Sequence, residues 1–186
     1  VRVRRAVRAV ACLPGGWGLN GASRWCAAPW SAQGSVGGAS SLFGGPRCPG
    51  RTLREEARRQ GLDGLRDWMR DAQDVEHAGI IGFCMGGGFA LRHAATGADF
   101  DAVSVNYGMV PNADLSRICP VVGSYGELDR IFLPQAARLV ELLDKADLEH
   151  DIKVYPGVGH SFLNQHEGWQ EAVTRLPSPM AIGYDE

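Results

Sequence analysis

Apolar and polar positions recur along this chain with changing period, and each change of period marks an element. The opening run Ala6-Val7-Arg8-Ala9-Val10-Ala11 is strand-like. Between 52 and 71, Leu53, Ala57, Leu65, Trp68 and Met69 return at helical spacing. The apolar run Ala78-Gly79-Ile80-Ile81 predicts a buried strand, and residues 89–95 predict a helix. Strands are expected over 102–107 and 120–125. Residues 134–146 form the clearest helix, opened by Pro134, with Ala136, Ala137, Leu139, Val140, Leu142 and Leu143 marking a wide buried face. Asp151-Ile152-Lys153-Val154-Tyr155 alternates as a strand does. Strands alternating with helices predict one α/β domain over residues 1–186, a mostly parallel sheet with helices on both faces. Residues 21–41 break the pattern: Trp25, Cys26 and Trp30 stand among scattered Gly, Ser and Ala, with neither period.

The most informative chemistry follows the strand at Ile80-Ile81. Gly82-Phe83-Cys84-Met85-Gly86-Gly87-Gly88 is a G-x-C-x-G turn between a strand and a helix. That is the setting of a nucleophile elbow, with cysteine where serine is usual. A side chain at so tight an apex sits on strained backbone, and helix-on-strand packing leaves no room for a Cβ at Gly82 or Gly86. In return the sulfur stands at a helix N-terminus, where the dipole lowers a thiol pKa. A cysteine after an apolar strand is also an ordinary core residue. The glycines fit no nucleotide site: Cys84 occupies a position where a dinucleotide fingerprint needs Gly, and no Gly-Lys-Ser/Thr follows.

A thiol nucleophile works with a histidine base oriented by a carboxylate. Asp129 lies in the polar loop Gly126-Glu127-Leu128-Asp129, and His160 in the loop Pro156-Gly157-Val158-Gly159-His160. Cys84, Asp129 and His160 therefore each follow a predicted strand, in the chain order of α/β-hydrolases, at the sheet edge where open parallel sheets assemble sites. Glu127 is a rival acid, and His150 and His166 are rival histidines.

Three segments carry a family resemblance: Gly82-Phe83-Cys84-Met85-Gly86-Gly87, then Gly126-x-x-Asp129 with Phe132 and Pro134, then Tyr155-Pro156-Gly157-x-x-His160-Ser161-Phe162. Together they resemble the dienelactone (carboxymethylenebutenolide) hydrolase family, nearly continuously from Asp63 to Glu167. Leu13-Pro14-Gly15-Gly16-Trp17-Gly18-Leu19-Asn20 resembles that family's first active-site loop, and Leu42-Phe43-Gly44-Gly45 a later one. The resemblance implies an α/β-hydrolase fold and hydrolysis of a small ester or lactone through a cysteine acyl-enzyme, without cofactor or metal. It implies Cys84 as nucleophile, His160 as base and later acid, and Asp129 as its orienting group. The oxyanion would meet the backbone N–H groups of Met85 and Gly16. Trp17, Tyr107 and Phe162 would line the substrate pocket. The chain departs from the family at Gly15, where a glutamate helps activate the thiol, and at Asn164, where an arginine binds a substrate carboxylate. A broader dienelactone hydrolase-like esterase is thus expected. Two alternatives remain: an inactive, partly folded remnant of the family, or a redox-sensing thiol.

Composition bounds the picture. At 186 residues and 45% apolar content, one core suffices, and a net charge of −2 argues against a polyanionic partner such as nucleic acid. No run approaches the ~20 apolar residues of a membrane helix. Five cysteines without metal-site spacing, and a thiol that must stay reduced, predict a cytoplasmic protein. A monomer or weak homo-oligomer is expected. All 21 acidic residues lie from Glu55 onward, whereas the opening carries Arg2, Arg4, Arg5 and Arg8. This bias and the aperiodic 21–41 suggest a shifted reading frame there. Translating all three frames of the coding DNA tests this, because another frame should restore a helix and a Val/Ile-rich strand. After His160 only 26 residues remain, with Pro177 and Pro179 among them, so residues 168–186 are expected to form a truncated end without the usual final helix.

Overall fold

Every pairing in the sheet is parallel, and its strands stand in the order β2-β1-β3-β4-β5-β6. The computed structural model describes residues 8–13, 36–39, 55–72, 75–164 and 178–183. The strands are β1 (Arg8–Leu13), β2 (Val36–Ala39), β3 (His77–Phe83), β4 (Ala102–Asn106), β5 (Val121–Gly126) and β6 (His150–Tyr155). The helices are α1 (Glu55–Asp67), extended by a π-helical turn at Trp68–Ala72, α2 (Met85–Ala94) and α3 (Leu133–Lys145). This is the mostly parallel α/β fold that the alternating periods predict, although they predict helices on both faces and the three described ones share one.

Register shows why these sequences form one layered core. Partners across parallel strands share a face, which groups Ala9, Ala11 and Leu13 with Ala78 and Ile80, Val103 and Val105, and Val121 and Tyr125. All are at most 2% exposed. The connections through α1, α2 and α3 all step the same way along the sheet, so right-handed crossover sets the three helices on one face. Leu91 of α2 and Leu139 and Leu143 of α3 close that face in one core cluster. On the opposite face Val122 is 48% exposed, while Cys12 and Phe83 join a second, smaller cluster with Tyr107, Val158 and Phe162.

Several boundaries differ from the periodic reading. Part of the interval 21–41 is strand: β2 pairs in register with β1 through Val36-Gly37-Gly38-Ala39. Backbone pairing, which needs no side-chain alternation, makes this strand, so hydropathy could not reveal it. The rest of that interval lies outside the described residues. Helix α2 begins at Met85, four residues before the expected start at 89, because Gly86, Gly87 and Gly88 enter it despite their poor helix propensity. Trp68, one of the apolar residues at helical spacing, begins the π-helical turn and is 46% exposed, whereas Met69 beside it is buried.

Candidate active site

The C-terminal ends of β3, β5 and β6 lead into the loops that carry Cys84, Asp129 and His160. At the first, the chain reverses so sharply that Cys84 takes φ 53° and ψ −119°. A non-glycine residue is rarely found there, and surrounding contacts must hold it. They do so from both sides. The Cys84 N–H donates to the Asn106 carbonyl at 2.9 Å, and the Cys84 carbonyl accepts from Gly87 N–H at 3.1 Å, starting α2. A Cβ on Gly82 would stand 2.5 Å from the Gly86 carbonyl carbon and 2.7 Å from the Gly87 Cα. Glycine there is required by close approach, as the elbow pattern predicts. Gly87 and Gly108 face each other similarly across α2 and the end of β4, where the Gly108 Cβ would reach 3.0 Å from Gly87.

Asp129 is fully buried, and its carboxylate is saturated. Its Oδ1 accepts from the backbone N–H groups of Ile131 at 3.2 Å and Phe132 at 3.1 Å, and its Oδ2 meets His160 Nδ1 at 2.6 Å. The imidazole also shares a side-chain hydrogen bond with Cys84. Burial pulls the His160 pKa down. The hydrogen bonds to Asp129 and Cys84, with the negative charge of both, outweigh it and raise the value to about 9. Two rings fix the imidazole plane: Phe132 lies 4.7 Å away at 35°, and Tyr107 meets it edge-on at 5.0 Å. Tyr107 is itself buried and sits at φ 41°, held by its N–H donating to the Ser124 carbonyl at 2.7 Å.

Glu127 and His150 stand apart from the Asp129–His160 pair. Glu127 is exposed and accepts from the Gly157 N–H at 2.9 Å, tying the Asp129 loop to the His160 loop. His150 begins β6, at the far end of the sheet from Cys84, beside the Leu148 carbonyl and Asp144. His166 lies outside the described residues, as do Gly15, Gly16 and Trp17. Of the remaining site residues, Met85 opens α2 with its side chain 37% exposed. Phe162 is buried, with Tyr107 at 5.6 Å and Tyr155 at 5.2 Å. Asn164 is buried, its N–H donating to the Ser161 carbonyl.

Sequence reasoning missed three contributors. Phe132 entered only as a motif letter, although its backbone holds Asp129 and its ring holds His160; its spacing of three from the acid was the available signal. The Asn106 carbonyl has no signature in sequence. Nor does the strap Ser178 to Gly183, which lies within the region expected to be a truncated end. Met180 and Pro179 carbonyls accept from His160 and Arg130 N–H groups, and Gly183 N–H donates back to the His160 carbonyl. The strap approaches so closely that a Cβ on Gly159 would overlap the Ala181 carbonyl. The rest of residues 168–186 lies outside the described residues.

A family model described as the dienelactone hydrolase family matches residues 51–186. The chain belongs to that family. Among relatives of this dienelactone hydrolase family member, a carboxymethylenebutenolidase of Rhodococcus opacus is 28% identical over 167 residues, covering 73% of this chain. A protein of Saccharolobus solfataricus is 32% identical over 96 residues, covering 50% of it. The chain spans 66% and 37% of these two relatives' lengths, respectively. In structure, a dienelactone hydrolase-like promiscuous phosphotriesterase from metagenomic libraries superposes with a TM-score of 0.76 at 20% identity, over 96% of this chain and 79% of its own. An alpha/beta hydrolase from a Medee basin deep-sea metagenome library gives 0.70 at 18%, over 83% and 70%. These neighbours share the α/β-hydrolase fold. Among the described residues, no helix is long and apolar enough to cross a membrane, and no group of acidic, histidine and cysteine side chains is placed to hold a metal.

Proposed function

We propose that this member of the dienelactone hydrolase family hydrolyses a small ester or lactone through a thioester on Cys84. One observation carries the reading: a cysteine on strained elbow backbone shares a hydrogen bond with a histidine whose other nitrogen meets a buried carboxylate. With its pKa raised to about 9, His160 is protonated at neutral pH, and an imidazolium hydrogen-bonded to Cys84 favours the sulfur as a thiolate. The thiolate attacks the carbonyl carbon and its π electrons move to oxygen. The oxyanion is held by the Met85 N–H at the start of α2 and by an N–H of the first loop, assigned to Gly16. Collapse expels the alkoxide, which takes the proton from His160 and leaves a thioester. His160, now neutral, takes a proton from water as that water attacks. The acid departs, and thiolate and imidazolium are restored. Tyr107 and Phe162, with Trp17 of the first loop, would shape the acyl pocket; the substrate is a small molecule.

The pH dependence follows from the direction of the His160 shift. A pKa raised from 6.5 to about 9 leaves the proton in place below 9, and the acylation step needs that proton for the leaving group. Hydrolysis of alkyl esters and lactones, whose departing alkoxide must be protonated, is expected to hold through neutral pH and fall as pH rises through about 9. The same shift makes His160 stabilise the fold fully below 6.5 and lose that contribution as pH rises towards 9. Steady-state rates on a series of alkyl esters and lactones from pH 5 to 10 test the proposal. Turnover with this alkaline limb supports it, and a well-folded protein inert on every ester and lactone overturns it in favour of a remnant or a sensor.

Phe132 gives a second expectation. Phe132→Leu keeps the backbone N–H to Asp129 but removes the ring beside the imidazole. Its kcat should fall roughly tenfold with KM little changed, because a misaligned base impairs the reaction more than substrate binding. Equal losses in both constants would contradict a positioning role.

A further inference from the structure

The last strand of the sheet, β6, is an open edge, with no strand on its outer side among the described residues. Its side chains are exposed or only half-buried throughout, Val154 at 47% and Tyr155 at 40%. The direction of its backbone groups follows from its pairing with β5. The Glu149 carbonyl accepts from Val121, and the Tyr155 carbonyl from Glu127, so the odd-numbered residues turn their N–H and C=O groups inward to β5. The even-numbered residues His150, Ile152 and Val154 therefore present theirs outward.

We infer that β6 is a self-complementary edge on which a second copy of this chain docks as an antiparallel strand. An antiparallel neighbour must match outward-facing residues with outward-facing residues, which restricts the register to steps of two. Centred on Ile152, the two-fold pairs Ile152 with its own copy and His150 with Val154 through backbone hydrogen bonds. Asp151 then stands opposite Lys153 of the partner, twice. These are the non-hydrogen-bonded positions, where side chains on facing strands come closest. Both side chains are exposed and share one sheet face, where Asp151 and Lys153 already meet at 3.0 Å within the strand. The adjacent registers are poorer on charge: one sets Asp151 against Asp151, offsetting its Lys153–Glu149 pairs, and the other sets Lys153 against Lys153. The charge pattern thus favours one register of a symmetric dimer over its neighbours and disfavours an unrelated strand. Isolated edge charges commonly prevent pairing. Here their spacing makes them attractive to a copy of the same strand. Six residues of edge bury little area, so the dimer is weak and sensitive to salt.

Sedimentation velocity of the full chain over a concentration series, at low and high salt, tests this with three variants. Wild-type protein should show a concentration-dependent dimer that weakens as salt rises. Asp151→Lys and Lys153→Asp each convert both cross-strand attractions into repulsions, and each should weaken association by roughly tenfold or more. The double swap D151K/K153D restores every opposite-charge pair and should recover the wild-type dimer. Far-UV circular dichroism on all four proteins establishes that the strand remains folded. A wild-type monomer at every concentration overturns the inference, as does a dimer that is equally strong in all four proteins. A double swap no better than either single variant also overturns it.

Discussion

Cys84→Ala is expected to lower kcat/KM on p-nitrophenyl acetate by about 10³-fold or more while leaving the far-UV spectrum unchanged. The thiolate is the only protein group in the proposed cycle that bonds to substrate carbon, and removing a nucleophile that acts in concert with its base forfeits nearly all of their joint effect. The fold should survive because the elbow is held by backbone contacts. The Cys84 N–H meets Asn106 and its carbonyl meets Gly87, and alanine retains both. The side chain is partly exposed, so the cavity left by its sulfur is small. Alanine at φ 53° is no more strained than cysteine there. Activity within a few-fold of wild type would mean that ester hydrolysis, if present, runs on another group.

The largest effect on stability is expected from Gly82→Ala. Its new methyl group would be driven into the Gly86 carbonyl and to 2.7 Å from the Gly87 Cα, all backbone atoms of the first turn of α2. No rotamer relieves that contact. The helix must lift off β3, carrying Cys84 away from His160, so stability should fall by about 3 kcal/mol and activity with it. Gly64→Ala is the control. Gly64 lies within α1 with nothing within 4 Å of its added Cβ, and the change should stabilise by about 0.5–1 kcal/mol. Urea unfolding midpoints of both variants test the pair. A Gly82→Ala protein as stable as wild type would show that the elbow is looser than its contacts indicate.

The sequence shows the core and the order of the site better than it shows the site's supports. Where a helix stripe is wide, as over Ala136, Leu139 and Leu143, period and structure agree to within a residue, because burial of one face is what selects those residues. Period fails where backbone rather than side chains makes the element. The glycine-rich start of α2 and the small residues of β2 carry no hydropathic rhythm, and each is set by tertiary contact. The positions of Cys84, Asp129 and His160 were legible because each must follow a strand end. The choice of Asp129 over Glu127 came from the family resemblance and not from periodicity, since the pairing depends on which carboxylate two backbone N–H groups enclose. The strap at Ser178 to Gly183 was illegible for a related reason: it binds the His160 loop through main-chain groups that every sequence carries.

If Cys84 carries the acyl group, that intermediate can be trapped. Purified protein is mixed with p-nitrophenyl acetate, quenched in acid within the first turnovers, and mapped by peptide mass spectrometry. One acetyl group is expected, held as a thioester on the peptide containing Cys84 and released by hydroxylamine at neutral pH. An acetyl group on another side chain, such as the neighbouring Ser161, or steady turnover with Cys84 unmodified at every quench time, would contradict it.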